Sequence, residues 1–230
     1  MIFRQERKFT FPKSSIEIVR DKIFNSKLLM SNTYPNRFVN TLYLDSLDFV
    51  NYNENLAGLS RRSKPRLRWY SNSQLGQVSR NTKIVFEIKL RSNTLGTKLT
   101  QIINLPPNFL IIDSNNLIDH IRRELPSEYL PYIDHCTTFS LGVSYEREYF
   151  EDYNRDLRIT LDTNIVNIKP YESRIFNFCE SEFYKQEYCI LEMKYTENSK
   201  VQTQSFNFEG VTITPGRHSK YATGLYTIYR

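Results

Sequence analysis

The sequence has few of the residues that build disulfide scaffolds, metal–thiolate sites and flexible loops. Its 230 residues include only seven glycines and three cysteines. Cys136, Cys179 and Cys189 form no CxxC pair and have no histidine at metal-ligand spacing. This spacing excludes a zinc ribbon and a disulfide-framed secreted domain. We therefore expect a reducing, cytoplasmic environment.

Long apolar runs are also missing. No stretch approaches the ~18 to 20 apolar residues that a membrane-spanning helix requires. The opening residues carry charge at Arg4, Glu6, Arg7 and Lys8, where a secretory signal needs an apolar segment. We expect neither a transmembrane segment nor export. The three histidines are scattered along the chain, so no Ser-His-Asp or Cys-His set for nucleophilic catalysis is recognisable.

Aromatic and apolar residues, in contrast, are plentiful. Sixteen tyrosines and fifteen phenylalanines provide ample core material and favour β-sheet. A chain of this length fits one large domain, and we predict a single domain over residues 1–230. The net charge of +6 is compatible with a polyanionic partner, but it does not choose among nucleic acid, acidic lipid and polyphosphate.

The strongest local pattern lies in residues 61–70, which read RRSKPRLRWY. The two-residue period of a strand places Lys64, Arg66 and Arg68 on one face and apolar side chains on the other. Neighbouring cations repel each other unless an anion lies among them, and the planar donor fork of arginine matches phosphate oxygens. The pattern also fits the wet face of an ordinary amphipathic strand. This stretch by itself leaves both interpretations open.

The same alternation recurs in other predicted strands, with charged residues in mid-strand opposite an apolar face. The predicted strands cover residues 2–11, 37–45, 83–91, 138–150, 156–162 and 187–196, and residues 221–229 form a closing strand or helix. One helix is predicted from Ile16 to near Leu29, after a capping box of Ser14 and Glu17, and another over residues 117–125. These helices need an apolar sheet surface to cover. We predict an α+β fold in which the strands close into a barrel, its helices outside and its charged faces lining a bore.

The predicted lining holds more cations than carboxylates. Unpaired cations are costly in a partly desolvated channel, so we expect a bound anion, and a linear chain of phosphates fits a bore. Glu192 is the predicted ligand of a hard divalent cation, because Mg²⁺ usually takes only one or two carboxylates and fills its shell with water and substrate oxygens. Glu6 and Glu87 are further metal ligands or salt-bridge partners. The lining cations are Lys8, Arg66, Arg68, Lys89, Arg147, Arg158 and Lys194.

These motifs, taken in order, resemble the polyphosphate-polymerase domain of the vacuolar transporter chaperone (VTC) family, within the triphosphate tunnel metalloenzyme (CYTH-like) superfamily. The resemblance runs from one end of the chain to the other, and each motif is weak by itself. The matching motifs are Arg4-x-Glu6-x-Lys8-Phe9, Asn40-Thr41-Leu42-Tyr43-Leu44-Asp45, Arg62-x-Lys64-x-Arg66-x-Arg68-Trp69-Tyr70, Phe86-Glu87-Ile88-Lys89, Tyr145-x-Arg147, Arg158-x-Thr160-x-Asp162, Leu191-Glu192-Met193-Lys194 and Ser219-Lys220-Tyr221.

The resemblance implies an antiparallel, eight-stranded tunnel that binds ATP or another triphosphate with Mn²⁺ or Mg²⁺ and transfers the γ-phosphate of ATP onto inorganic polyphosphate. It assigns metal binding to Glu192 and phosphate binding to Lys8, Arg66, Arg68, Lys89, Arg147, Arg158 and Lys220, with Ser219 and Tyr145 as second-rank candidates. We add Lys64 and Lys194 to the predicted phosphate-binding residues and Glu6 and Glu87 to the predicted metal ligands. The predicted catalytic residues are Lys220, Arg66, Arg68 and Glu192. The cyclase and thiamine triphosphatase branch begins with Glu-x-Glu-x-Lys, and Arg4 replaces the first glutamate here. This replacement shifts the expected metal site towards Glu192.

Two other functions remain open. Hydrolysis of triphosphate by water would use nearly the same residues, and the sequence does not choose between a phosphate and a water acceptor. A non-catalytic module that binds polyphosphate or RNA is the third interpretation. Trp69 and Tyr70 lie beside basic residues, as in a stacking platform for bases, but no RNP-like run accompanies them. We therefore expect no specific nucleic acid partner.

Overall fold

The computed structural model describes residues 5–74, 78–79, 81–92, 95–106, 108–170, 182–196, 206, 208–216 and 218–230. Arg4 and Cys179 of the sequence analysis lie outside these ranges. Cys136 and Cys189 are both buried as free thiols, as expected without a disulfide framework. Burial raises the pKa of the Cys136 thiol to about 12 and that of Cys189 to about 11, so neither is a ready nucleophile near neutral pH.

The described chain is mainly antiparallel β-structure with four α-helices. In chain order the elements are β1 (Gln5–Pro12), α1 (Ile16–Phe24), β2 (Ser31–Asp45), α2 (Val50–Leu56), β3 (Arg61–Arg62), β4 (Pro65–Ser71), β5 (Ile84–Ser92), β6 (Leu95–Ile103), α3 (Ser114–Glu124), β7 (Thr138–Glu151), β8 (Leu157–Lys169), β9 (Glu182–Lys185), β10 (Tyr188–Tyr195), β11 (Thr214–Pro215) and α4 (Lys220–Ile228). Short 3-10 helices cover Lys13–Ser15, Phe109–Ile111 and Ser127–Tyr132. The α+β class predicted from the sequence is confirmed. None of the described helices combines the length and the apolar character needed to cross a bilayer.

The chain divides into two compact units, each built from segments that are distant in sequence. The first unit contains Met1–Arg37, Tyr145–Ile165 and Lys185–His218, and the second contains Phe38–Ser144, Val166–Tyr184 and Ser219–Arg230. Because the segments of the two units interleave along the chain, no single cut in the sequence separates them. A single domain over residues 1–230 stays a prediction.

In the first unit the strands follow the order β11, β1, β10, β8, β7. The apolar face of this sheet forms a core with α1, in which Val19 and Ile23 of the helix are fully buried. The alternation predicted for β10 is confirmed, because one face of that strand enters the core and the other carries Glu192 and Lys194. The core strand residues are Phe11, Phe150, Leu157, Ile159, Leu161, Cys189, Leu191, Met193 and Tyr195.

In the second unit β7, β2, β4 and β5 lie side by side, and β3 and β6 also pair with β5. The apolar faces of β4 and β5 pack against α3, which contributes Leu117, Ile118 and Ile121. The ring of Trp69 on β4 meets that of Phe109 edge to face at a centroid distance of 5.5 Å. This core leaves the opposite face of β4 and β5 to their charged residues.

Eight of the eleven described strands have seven residues or more, and three (β3, β9 and β11) are shorter. The pairs β1–β10, β1–β11, β8–β10, β2–β4, β3–β5, β4–β5 and β5–β6 are antiparallel. Hydrogen bonds among the described strands do not close the sheet into a ring. The antiparallel sheet is therefore established, and its closure into a barrel stays a prediction.

The first helix begins at Ile16, as predicted, but its cap and its end differ from the prediction. The residue before it is Ser15, whose side chain makes no capping hydrogen bond, so the predicted capping box of Ser14 and Glu17 is not formed. The reason is the 3-10 turn over Lys13–Ser15, which puts Ser15 rather than Ser14 at the cap position. The helix ends at Phe24 rather than near Leu29, and Leu29 has a positive φ of 50° that no helix continues through.

Three other segments extend beyond their predicted bounds or were not predicted. β2 begins at Ser31 rather than at residue 37, and β8 continues to Lys169 rather than ending at residue 162. In β8 the buried polar residues Thr163 and Asn167 obscure the apolar alternation. β6 was not predicted. The open choice for residues 221–229 resolves as a helix.

Candidate functional site

The central stretch of the sequence forms β4, and its alternation is as predicted. Pro65, Leu67 and Trp69 are buried, whereas the side chains of Arg66 and Arg68 retain 14% and 13% of their exposure on the opposite face. The two arginine side chains are thus mostly removed from water but lie outside the apolar core. Such a position strengthens their electrostatic attraction for an anion.

Three cations surround the carboxylate of Glu87 in the second unit. The antiparallel register places Arg66 directly opposite Glu87, whose Oε2 lies 2.8 Å from Nε and 2.7 Å from Nη2 of that arginine. Arg68 approaches the same oxygen at 3.4 Å, and Lys98 on β6 approaches Oε1 at 2.9 Å. Burial by itself would raise the pKa of Glu87, but Arg66, Arg68 and Lys98 outweigh it and lower that pKa to about 2. Glu87 is therefore ionised at neutral pH, and these four side chains carry a net positive charge.

Two buried polar atoms on this face lack a hydrogen-bond partner among the described residues. They are Nε of Arg68 and the hydroxyl of Thr41. The register of β2 with β4 places Thr41 directly opposite Arg68, so both side chains share one face. A buried donor without an acceptor costs about 1–3 kcal/mol. A ligand with several acceptor oxygens, such as phosphate, suits this arrangement.

The other predicted phosphate-binding residues of the second unit fall into two groups. Lys64 Nζ donates to the hydroxyl of Ser219 at 2.9 Å, and that hydroxyl also caps α4 by accepting from the backbone N–H of Ala222 at 3.3 Å. Lys220 is the first residue of the helix and is half-buried. Lys89 pairs with Lys64 through the backbone, but its side chain is exposed. The structure thus brings Lys64 and Ser219 together and places Lys89 on the solvent side.

Four residues of the first unit form a ring of alternating charge. Lys8 Nζ lies 3.0 Å from Glu6 Oε1 and 3.6 Å from Glu192 Oε2, and Lys194 Nζ lies 2.5 Å from Glu192 Oε1 and 3.9 Å from Glu6 Oε2. The register of β1 with β10 explains this, because Glu6 is opposite Lys194 and Lys8 is opposite Glu192. Each carboxylate therefore contacts both lysines.

The charges of this ring keep Glu192 and Lys8 ionised despite their burial. Burial by itself would raise the pKa of Glu192, but Lys8, Lys194 and Arg147 outweigh it and hold that pKa far below its ordinary value. Burial likewise opposes the charge of Lys8, but Glu192 and Glu6 outweigh it and raise the lysine pKa. Glu192 is thus a carboxylate, not a carboxylic acid, at any pH near neutrality.

The two remaining predicted arginines of the first unit each hold a buried carboxylate. Arg147 contacts Asp162 through two parallel bonds, Nε to Oδ1 at 2.5 Å and Nη2 to Oδ2 at 2.7 Å. Arg158 binds Glu151 through one oxygen, because its Nε, at 2.6 Å, and its Nη2 both contact Oε1. Burial by itself would lower the pKa of Arg147, but Asp162 outweighs it and raises the pKa further above its ordinary value. Tyr145 lies beside Arg147, with its ring centroid 5.2 Å from the guanidinium carbon.

The predicted metal ligands differ in how well they suit a divalent cation. Glu192 and Glu6 lie on paired strands and share both lysines, so two carboxylates converge on one place. Within the described ranges, no three His, Cys, Asp or Glu side chains meet as metal ligands would. Mg²⁺ does not need three, because it keeps waters and takes phosphate oxygens. Glu87 suits the ion less well, since three cations already engage its two oxygens.

Several residues of these clusters were missed at the level of sequence. Lys98 belongs to β6, which was not predicted. Asp162 and Glu151 were not recognised as partners of Arg147 and Arg158, although Asp162 follows Arg158 at the even spacing of one strand face. Thr41 stands in a motif that was noticed only for its resemblance. The even spacing was the one available signal for Asp162.

A comparison with models of known protein families identifies the family of this chain. The family model described as "VTC domain" matches residues 3–229. The chain belongs to the VTC domain family. The resemblance inferred from the ordered motifs is thereby confirmed. No curated protein matches this VTC domain in sequence.

Two solved structures resemble this VTC domain over nearly its whole length. A Hippeastrum protein, described as an adenylyl cyclase candidate with a dominant triphosphatase activity, is 15% identical and has a TM-score of 0.55, with 98% of this chain and 96% of that chain covered. A Vibrio parahaemolyticus protein, described as an adenylate cyclase candidate, is 10% identical with a TM-score of 0.50 and 98% coverage of both chains. At these identities the likeness shows the shared fold.

Proposed function

We propose that this VTC domain is a metal-dependent phosphotransferase that moves the γ-phosphate of ATP onto a polyphosphate chain within a basic tunnel. One observation carries the proposal most strongly: three cations meet one carboxylate at Glu87, beside the unpartnered donors of Arg68 and Thr41. Membership of the VTC family supports it. The triphosphatase activity described for the Hippeastrum protein supports action on triphosphate.

In the proposed site, the second unit binds phosphate. Arg66 and Arg68 use their planar donor forks on phosphate oxygens, and the buried Nε of Arg68 and hydroxyl of Thr41 gain acceptors in the ligand. Lys64, Lys89, Ser219 and Lys220 extend the phosphate-binding set, with Lys220 as the catalytic cation. Glu87 serves mainly as the counter-ion of the two arginines in the absence of ligand.

The first unit supplies the proposed metal site and further phosphate contacts. Glu192, with Glu6 beside it, would hold Mn²⁺ or Mg²⁺. When bound, such an ion neutralises the charge that develops on phosphate oxygens. Because Glu192 is ionised near neutral pH, it needs no proton release before it binds a cation. Lys8 and Lys194 would contact phosphate oxygens as well as the carboxylates. Arg147 and Arg158 are the other proposed phosphate-binding residues of this unit.

The proposed chemistry needs positioning and charge rather than a nucleophilic side chain. Phosphoryl transfer passes through a loose transition state, so fixed cations that align donor and acceptor provide most of the rate enhancement. We also propose that the charged strand faces line an eight-stranded tunnel, as the VTC family implies. The antiparallel sheet, with its eight longer strands, supports this closure. Inside a tunnel a growing chain stays aligned between additions.

Hydrolysis of triphosphate is the second candidate, and the Hippeastrum protein favours it. The same residues would act on water instead of an acceptor phosphate. Binding of polyphosphate without turnover is the third. We expect no specific nucleic acid partner, and a cytoplasmic location stays a prediction.

One incubation separates these functions. The purified chain is mixed with ATP and Mn²⁺, and the products are resolved by gel electrophoresis for chains and by a phosphate assay for orthophosphate; a parallel sample contains EDTA. Metal-dependent long chains support the polymerase, whereas orthophosphate without chains supports the hydrolase. Binding of inorganic triphosphate without either product supports the binding module. Failure to bind triphosphate at all would overturn the proposal.

A further inference from the structure

The helix that carries Lys220 is anchored on both sides of that residue. Ser219, just before it, accepts the hydrogen bond from Lys64 and caps the helix. Tyr221, just after it, is buried to 1% exposure and donates its hydroxyl to Oδ2 of Asp45. A residue held between two fixed neighbours has little freedom to move its backbone. The backbone position of Lys220 is therefore determined by two independent side-chain contacts.

The partner of Tyr221 is itself rigidly held. Asp45 is fully buried at the end of β2. Its Oδ1 accepts backbone N–H groups of Ser46 at 2.8 Å and Asn51 at 2.9 Å, and its Oδ2 accepts that of Tyr52 at 3.1 Å. Asp45 thus joins the end of β2, the first turns of α2 and the start of α4. The charged acceptor strengthens the bond from Tyr221.

The same tyrosine reaches the arginine cluster through a stacked ring. Tyr221 stacks on Tyr43 at a centroid distance of 4.7 Å and an interplanar angle of 29°. The hydroxyl of Tyr43 accepts from Nη1 of Arg66 at 3.3 Å, and the guanidinium carbon of Arg66 lies 5.9 Å from the Tyr43 ring centroid. Asp45, Tyr221, Tyr43 and Arg66 therefore form one continuous line of contacts within the second unit.

Close packing of α4 against its neighbours keeps this line of contacts in place. A Cβ at Gly224 would lie 2.6 Å from Cδ2 of Leu141 and 3.1 Å from Oδ1 of Asn167. Only glycine permits so close an approach of the helix to its neighbours. The helix therefore cannot shift to compensate for a lost contact at its first turn without disturbing this packing.

We infer that Tyr221, held by Asp45, is a positioning residue that fixes Lys220 and Arg66 for phosphate binding and transfer. The inference rests on the proposed function, since it assigns a task to the surroundings of that site. Tyr221 touches no substrate in this scheme: its hydroxyl, bound to Asp45, acts through Lys220, and its ring, stacked on Tyr43, acts through Tyr43 on Arg66.

The test compares four forms of the full chain: wild type, Tyr221→Phe, Lys220→Ala and the double variant. Turnover of ATP with Mn²⁺ and the affinity for inorganic triphosphate are measured for each. Tyr221→Phe removes the hydroxyl and keeps the stacked ring, so we expect kcat to fall about 10- to 100-fold, as a displacement near 1 Å can cause, while affinity falls less. The double variant should be no slower than Lys220→Ala, because the hydroxyl acts through that lysine.

Tyr129→Phe is the matched control. Tyr129 is buried to 6% exposure in the core of the same unit, where it packs against Phe86 at a centroid distance of 6.4 Å. Tyr129→Phe also loses one tyrosine hydroxyl. We expect its thermal midpoint to be similar to that of Tyr221→Phe and its turnover to equal that of wild type. Equal turnover in Tyr221→Phe and wild type would overturn the inference, as would losses that multiply in the double variant. A wild-type chain that neither binds triphosphate nor consumes ATP would instead overturn the proposed function.

Discussion

The charged faces of the two units follow the same strand pattern but differ in charge balance. Among the described residues of β4–β6 in the second unit, ion pairs join one carboxylate, that of Glu87, to three cations. In the described part of the first unit, apart from the pairs that Arg20 of α1 makes with Glu17 and Glu148, four cations meet four carboxylates. The first-unit pairs involve Lys8, Arg147, Arg158 and Lys194 with Glu6, Glu151, Asp162 and Glu192. Strand alternation sets the face of a residue, but the register decides which charges meet on it.

This difference suggests a division of tasks. A balanced set of buried charges is satisfied without a ligand, whereas a set with excess cations gains from an added anion. The second unit is therefore the better anion site, and the first unit, with two converging carboxylates, is the better cation site.

The largest effect is expected for Glu192→Gln, which removes the negative charge of the proposed metal site. Metal-dependent turnover should be abolished, because an amide is a much weaker ligand for a hard divalent cation. Affinity for inorganic triphosphate without added metal should stay within a few-fold of wild type. Glu17→Gln, at an exposed position on α1, is the control and should behave like wild type. An unchanged metal-dependent rate would remove Glu192 from this role.

The second effect concerns the folding of the first unit. Arg147→Ala leaves the fully buried Asp162 without its bidentate partner, and such a loss destabilises a protein by about 3–5 kcal/mol. Urea unfolding followed by circular dichroism measures it. Arg158→Ala is the comparison, since that side chain is 40% exposed and its loss should destabilise less. Equal effects of the two variants would contradict the burial argument.

The third effect concerns anion binding in the second unit. Replacing Arg66 and Arg68 together by Ala removes two sets of charge-assisted hydrogen bonds, each worth about 1.5–3 kcal/mol. We expect triphosphate affinity to fall at least about 100-fold and its dependence on salt to weaken. Calorimetry at two salt concentrations checks both. The same affinity as wild type would mean that these arginines do not contact the ligand.

The smallest effect is a pH dependence of stability that arises from Glu87. Its pKa is about 2 in the folded state against 4.5 ordinarily, because Arg66, Arg68 and Lys98 outweigh the effect of burial. The folded pKa is the lower one, so the stabilisation is complete above pH 4.5 and is lost as the pH falls towards about 2. The difference corresponds to up to about 3 kcal/mol.

Urea midpoints measured between pH 7 and pH 2 test this titration. Wild type should lose more stability over this range than Glu87→Gln, whose side chain does not titrate. If the urea midpoints of the two proteins changed equally with pH, the pairing of Glu87 with its cations would not stabilise the folded state. Affinity for triphosphate in Glu87→Gln should stay measurable, since the arginines remain.

The sequence predicted what depends on local spacing and missed what depends on long-range pairing. The faces of β4 and β10 follow directly from a period of two, and the structure confirms both. The pairing of Lys98 with Glu87 and of Arg147 with Asp162 depends on register, which spacing within one strand does not determine. The bidentate contact at Asp162 could therefore not be predicted, although both residues were noticed.

Helix ends and buried polar strands were the other failures. The capping-box spacing of Ser14 and Glu17 was present, but the 3-10 turn before α1 overrides it and Glu17 pairs with Arg20 instead. In β8, the polar residue Asn167 is buried, so the apolar alternation gives no signal for its second half. At both places the local sequence pattern did not predict the structure, because contacts with the rest of the fold outweigh it.

The most direct test is a structure of the chain with inorganic triphosphate and Mn²⁺, with anomalous scattering used to locate the manganese. We predict triphosphate oxygens within hydrogen-bond distance of Arg66 and Arg68, an acceptor at Nε of Arg68, and the manganese signal at Glu192. Triphosphate bound elsewhere, with Arg66 and Arg68 still paired with Glu87 and the manganese away from Glu192, would contradict the proposed site.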